Sequence, residues 1–134
     1  MEFKELMAAR RSVRRFSDRA VPREVVDRIL AEALTAPSSR NSRSTRFLVV
    51  DRHDLIARMA GMRDYGSAFM EGAPLAVVVL GDTAASDLWR VNAAISATVL
   101  QLACVDEGLA SCWVHVDGRP RRGRRGADYP AVMR

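Results

Sequence analysis

Pro74-Leu75-Ala76-Val77-Val78-Val79-Leu80-Gly81 is an unbroken apolar run, closed at each end by a residue that interrupts regular structure. Its length and content of β-branched residues predict a strand covered on both faces. Just downstream, Leu88, Val91, Ile95, Thr98, Val99, Leu102 and Val105 recur at helical spacing. Small residues (Ala93, Ala94, Ala97 and Ala103) lie between them and allow close packing, until Gly108 stops the pattern. A covered strand followed by a long helix requires helices layered on a sheet.

The rest of the chain supplies such layers. Phe3, Leu6 and Met7 predict a short first helix ending near Arg10. Pro22 suits the first position of a second helix. Behind it Val25, Val26, Ile29, Leu30, Ala33 and Leu34 form an apolar stripe opposite Glu24, Asp27, Arg28 and Glu32, and Pro37 ends that helix at Ala36 or before. Residues 36–44 read as a polar loop and Phe47–Val50 as a short strand. Leu55, Ile56 and Met59 predict a small helix stopped at Gly61, and Ala110–Val116 a last strand. Three strands and four helices favour an α/β or α+β layered domain.

The chain has 134 residues, enough for one compact domain. Its hydrophobic content of 49% and charged content of 28% exclude a wholly disordered chain. The net charge of +5 suggests nucleic acid until it is located. Six arginines against Asp128 fall in residues 119–134, which leaves 15 basic and 15 acidic residues in 1–118. The body therefore has no global basic field. Binding of nucleic acid by the tail would be weak, salt-dependent and blind to sequence, and no aromatic residue interleaves its arginines before Tyr129.

Two cysteines, Cys104 and Cys112, do not make a disulfide scaffold, and a reducing compartment is expected. Arg10-Arg11-Ser12 superficially matches a twin-arginine signal, but Arg14, Arg15, Asp18 and Arg19 stand where an apolar stretch should follow. The longest uncharged run, Val91–Val105, is too short for a bilayer. A cytoplasmic protein without membrane segments is expected. His53 and His115 lie far apart, and the cysteines lack C-x-x-C spacing, so no metal is expected. Ser111, His115 and Asp117 are neighbours in sequence without assignable hydrolase geometry.

Three clusters carry possible chemistry. Arg10-Arg11-Ser12-Val13-Arg14-Arg15-Phe16 places four guanidiniums and a hydroxyl within six residues. Arginine forms two parallel hydrogen bonds to a phosphate and stays charged when partly buried. If extended, the segment sends Arg10, Ser12 and Arg14 to one side. The same composition fits a solvated basic turn. Pro37-Ser38-Ser39-Arg40-Asn41-Ser42-Arg43 offers short hydrogen-bonding side chains suited to a heteroaromatic edge or a polyol, and equally to an ordinary turn. Gly108-Leu109-Ala110-Ser111-Cys112-Trp113 leads from helix to strand, either presenting backbone N–H groups to a ligand or simply stopping the helix.

In this order, the three clusters resemble the nitroreductase-like flavoprotein family over about residues 1–117. Arg10–Phe16 matches its R-R-S-x-R-x-[FY] segment, Ala36–Arg43 its A-P-S-S-x-N-x-Q-like loop, and Gly108–Trp113 its G-L-G-S-C-W. Arg43 stands where glutamine is frequent, and Ala110 where glycine is usual. The resemblance implies an α+β, three-layer fold with a central mixed or antiparallel sheet flanked by helices. It implies FMN, with Arg10, Arg11, Ser12 and Arg14 gripping the phosphate and ribityl chain. Pro37, Ser38, Ser39, Asn41 and Arg43 would approach the flavin from a partner subunit, and Gly108 and Ser111 would lie near the ring. It further implies a homodimer packed through the long helix, NAD(P)H as co-substrate and a small electron-poor acceptor such as a nitroaromatic or quinone. The cofactor would carry the hard step. The alternative is a non-catalytic flavin-binding or dimerisation remnant.

After Val116 the resemblance stops. Residues 1–117 are expected to form the flavin-binding domain. Residues 118–134 are expected to be an Arg/Gly-rich disordered tail, because they hold hardly an apolar residue. A neutral body joined abruptly to a basic tail reads as a truncated or frame-shifted family member, lacking the last sheet strand, the C-terminal extension and a late basic residue for the phosphate.

Overall fold

The computed structural model describes residues 1–119, 121–122 and 128–129. Helix α1 spans Phe3–Ala9 and α2 spans Arg23–Ala33. Strand β1 (Thr45–Val50), helix α3 (His53–Met59) and strand β2 (Ala76–Gly81) follow, and then the long helix α4 (Trp89–Asp106). Short 3-10 turns occupy Ser39–Asn41 and Ala68–Gly72.

β1 and β2 pair antiparallel over their whole length, from Thr45 opposite Gly81 to Val50 opposite Ala76. Side chains alternate across the pleat, so each face of this pair meets a different helix layer. Phe47 and Val77 pack on one side against Ile29 and Ala33 of α2 and Leu100 and Ala103 of α4. Val50 and Val78 pack on the other against Ile56 of α3. The three-layer α+β arrangement is therefore present, with α2 and α4 on one face of the sheet and α3 on the other.

Helix α4 reaches β2 through a close contact. A Cβ on Gly81 would collide with the Trp89 ring, Cδ2 lying 2.9 Å from its position, so glycine is what lets the indole sit on the strand. At its far end α4 closes with a Schellman motif. Gly108 takes φ 74°, the Leu109 N–H donates to the Cys104 carbonyl (2.8 Å), and the Gly108 N–H donates to that of Val105 (2.9 Å).

Several expectations are corrected. Ala110–Val116 is not a strand; a single parallel bridge joins Ser111 to Ser12. The only described partner along this segment is the short Ser12–Val13 stretch, and a strand needs a neighbour of matching length. β1 begins at Thr45, two residues before its apolar run. Leu34 leaves the α2 stripe because the helix ends at Ala33, and its side chain is 59% exposed. The N-terminal stripe packs only lightly against α4: Leu6 is half-buried, while Phe3 and Met7 stay exposed. The expected disordered tail falls mainly outside the described residues. Within it, β3 (Arg121–Arg122) pairs antiparallel with β4 (Asp128–Tyr129), a ladder of main-chain bonds that needs no apolar side chains.

Candidate functional site

The arginine cluster begins where α1 stops. Arg10 is the residue that ends the helix, with φ −60° and ψ 126°, and the chain continues extended. The Arg11 Nη1 donates to the Ala8 and Arg10 carbonyls, both at 2.7 Å, so this guanidinium covers carbonyls left free at the end of α1. Ser12 lies in the bridge to Ser111, where the Val13 N–H donates to the Ser111 carbonyl at 3.0 Å. Arg14 is exposed, its guanidinium 5.9 Å from the centre of the Phe69 ring, and Phe16 packs on the same ring at 6.3 Å. The first and third sequence clusters are thus brought together. A cleft of about 240 Å³ opens between Ala9, Arg11 and Val13 on one side and Val105, Gly108 and Ala110 on the other.

The charge around this junction is uncompensated. Among the described residues, Arg23, Arg28, Arg46, Arg52 and Arg90 are paired with carboxylates, whereas Arg10, Arg11, Arg14 and Arg15 are in no ion pair, like the scattered Arg19, Arg40, Arg43, Arg58 and Arg63; what sets the stretch apart is four such guanidiniums within six residues. A larger cleft, of about 350 Å³, holds Asp18, Asp51 and Glu71 beside His53 and has none of the candidate residues in its wall. Its acidic lining repels a phosphate, so it does not compete for one.

The Gly108–Ser111 segment offers a ligand fewer donors than the sequence suggests. The Gly108 and Leu109 N–H groups are both taken by the Schellman cap. The adjacent Cys104 thiol faces the α2–α4 core, and burial pushes its pKa up to about 11, so it stays protonated and inert at neutral pH. At the same helix end, Arg28 Nε and Nη2 hold the Glu107 carboxylate at 2.7 and 3.0 Å, keeping that carboxyl below the usual carboxylate range.

The second cluster is built differently. Arg40, Asn41 and Arg43 take φ of 54°, 53° and 49°, in a loop with no glycine. An L-residue in the left-handed region costs about 1–2 kcal/mol, less for asparagine, so the surroundings must enforce this shape. They do so through polar contacts. The Arg43 N–H donates to Ser38 Oγ (2.9 Å), and Arg43 Nε to Asn41 Oδ1 (3.3 Å). The Ser39 N–H donates to Oδ1 of Asn92 (3.0 Å), whose Nδ2 donates in turn to Ser42 Oγ (3.2 Å) and Ser44 Oγ (2.9 Å). Pro37 and the Asn41 and Arg43 side chains are exposed, while Ser38 and Ser39 are half-buried.

Asn92 is the residue that sequence reading missed. It is 1% exposed, in the first turns of α4, on the same helix face as buried Ser96, Leu100 and Ala103. The available signal was a polar side chain at a spacing that the apolar core residues continue. Because Asn92 and Gly108 stand at opposite ends of α4, about 24 Å apart at the usual helical rise, one chain does not gather the loop and the Ser12–Ser111 junction into a single hydrogen-bonded site. The outer face of α4 carries Val91, Ala94 and Thr98 exposed, with Val91 at 51%.

The family model described as "Nitroreductase family" matches residues 7–63, which includes the first two clusters. Two curated relatives share the name "Putative NADH dehydrogenase/NAD(P)H nitroreductase". The one from Methanothermobacter thermautotrophicus is 31% identical over 87% of this chain and 62% of its own length. The one from Archaeoglobus fulgidus is 30% identical over 88% of this chain and 70% of its own length. A solved structure of an FMN-dependent nitroreductase from Clostridium difficile superposes with a TM-score of 0.82 at 38% identity, over 85% of this chain and 66% of that one. The chain belongs to the nitroreductase family and has its α+β fold. It spans a little under two thirds of the length of the Methanothermobacter relative. Among the described residues, no helix is long and apolar enough to cross a membrane.

Proposed function

We propose that the chain is the flavin-holding part of an FMN-dependent oxidoreductase that works as a homodimer. In this reading, FMN held by these residues would supply the redox chemistry between NAD(P)H and a small electron-poor acceptor, such as a nitroaromatic or a quinone. The observation that carries the reading is the dense cluster at Arg10–Arg15, four guanidiniums within six residues and none in an ion pair, bridged to the Gly108–Ser111 segment. A phosphate dianion is the chemistry that such a cluster fits. The FMN-dependent solved relative supports the choice of dianion.

Each residue then has a task. Arg10 and Arg14 hold the phosphate, with Ser12 as a hydroxyl donor beside them. Arg11 contributes the guanidinium donors not already bonded to the Ala8 and Arg10 carbonyls. Ser111 and Gly108 line the ring side of the junction through backbone shape, since the Gly108 N–H is already bonded. Pro37, Ser38, Ser39, Asn41 and Arg43 come from the other copy and close the flavin over. Two features support the second copy: the separation of loop and junction along α4, and the exposed apolar side chains on the outer face of that helix. Arg43 in place of a neutral side chain brings a further cation towards the ring, where it would favour a negatively charged flavin edge.

The test is the cofactor content of freshly purified protein with no flavin added, followed by anaerobic addition of NAD(P)H. Yellow protein whose visible absorbance bleaches with NAD(P)H is the expected result. Bound flavin that does not bleach would leave a binder without this activity. Colourless protein that takes up no FMN on titration would contradict the reading.

A further inference from the structure

We propose that Asn92 is a positioning residue whose buried amide sets the shape of the 38–44 loop and thereby presents that loop to the flavin of the other subunit. The flavin half of this statement rests on the reading above. The positioning half rests on geometry within one chain.

The amide reaches three points of the loop at once: its start at Ser39, its middle at Ser42 and its end at Ser44. Its orientation is fixed by chemistry, because a backbone N–H cannot accept, and so the oxygen must face Ser39 and the nitrogen the two hydroxyls. Ser44 is fully buried, and its carbonyl accepts the Asp82 N–H at 2.7 Å, which ties the loop's end to the exit of β2. The next polar residue on the same helix face, Ser96, donates to Thr45 Oγ1 at 3.3 Å and extends the seam into β1. Between these fixed points Arg40, Asn41 and Arg43 are held left-handed. That conformation persists only where surroundings over-determine it. Without the amide, the Ser39 N–H loses its acceptor, the left-handed residues relax, and the side chains of Ser38, Asn41 and Arg43 leave the positions from which they meet a ligand.

Three variants test this. Asn92→Leu keeps the branch point and the number of side-chain heavy atoms, adds some bulk, and removes every polar contact. Asn92→Asp keeps an acceptor for the Ser39 N–H and lets both serine hydroxyls donate instead. Leu100→Ala weakens the same helix where it packs on Ile29, Ala33 and the sheet, two turns beyond Asn92. Amide exchange is measured on flavin-free protein, and FMN affinity by titration. In Asn92→Leu, exchange at Ser39 and Arg43 should rise selectively relative to Ile29, and FMN affinity should fall by about tenfold or more. Asn92→Asp should recover most of both. Leu100→Ala should lower thermal stability without the selective exchange or a matching loss of affinity.

Unchanged exchange at Ser39 and Arg43 in folded Asn92→Leu would overturn the positioning role. Loosened exchange with unchanged FMN affinity would overturn its link to the flavin. If the parent protein takes no FMN at all, the functional reading has failed, and the exchange data alone decide whether Asn92 sets the loop.

Discussion

The 38–44 loop and the Arg10–Arg15 stretch are both polar and both rich in cations, yet the fold treats them in opposite ways. In the loop, one buried amide and the Ser38 hydroxyl take up backbone and side-chain groups and hold non-glycine residues left-handed. In the arginine stretch, the contacts among the described residues are the Arg10 N–H bond to the Leu6 carbonyl, one main-chain bridge, a pair of carbonyl contacts from Arg11 and an aromatic face beside Arg14. The loop's geometry is completed by its own protein. The stretch has charge that its own protein leaves open. A substitution in the first should therefore disturb folding and binding together, and one in the second should disturb binding alone.

The largest effect should come from Arg14→Ala, which is expected to weaken FMN binding by about 1.5–3 kcal/mol through loss of a charge-assisted hydrogen bond. Its thermal midpoint should stay close to that of the parent, since an exposed side chain outside any network contributes little to folding. Paired titration and melting curves check this, and an equal loss in both would erase the contrast. Next, Asn92→Leu should lower global stability by about 1–3 kcal/mol, because the Ser39 N–H is left without its acceptor. Urea unfolding measures that figure directly. Smaller again is the coupling between Asn92 and Ser44. A double-mutant cycle with Asn92→Leu and Ser44→Ala should return about 0.5–1.5 kcal/mol, against near zero for Asn92 combined with Arg14→Ala.

The smallest effect concerns pH. The Glu107 carboxyl is held low by Arg28, so the stability from that pair is fully present above the unfolded value of about 4.5 and is lost as pH falls through the lower folded value. Arg28→Gln should lower stability slightly near neutrality and flatten its fall through that acidic window, so that the parent and variant curves converge at low pH. A parent and a variant with parallel curves would show that the pair contributes nothing.

Much of the fold was legible because its elements carry strong periodic signals. The run from Leu75 to Leu80 and the stripe from Leu88 to Val105 correspond to β2 and α4 within a residue or two. Val26, Ile29 and Ala33 correspond to the buried face of α2. Pairing was harder to read. Ala110–Val116 has strand composition, but a strand forms only against a partner, and local sequence does not reveal one. The candidate site was legible as residue types in order, not as geometry. Left-handed Arg40 and Arg43 carry no glycine signal, because polar contacts enforce their shape. Asn92 sits far from the loop in sequence and resembles a polar interruption of an apolar helix until the chain is folded. The capped N–H groups at Gly108 and Leu109 were likewise invisible, since the residue pattern is the same whether a ligand or the helix end uses them.

In the proposed dimer, the arginine stretch of one chain and the loop of the other would hold the same flavin. Mixing Arg14→Ala subunits with Asn92→Leu subunits tests it most directly, with FMN bound per mixed dimer as the readout. If the two regions act in trans, each mixed dimer contains one undamaged site and one doubly damaged site, and tight FMN binding should return at one flavin per mixed dimer. If mixed dimers form and regain no tight flavin binding, each site already carries one defect from its own chain, and the claim is contradicted.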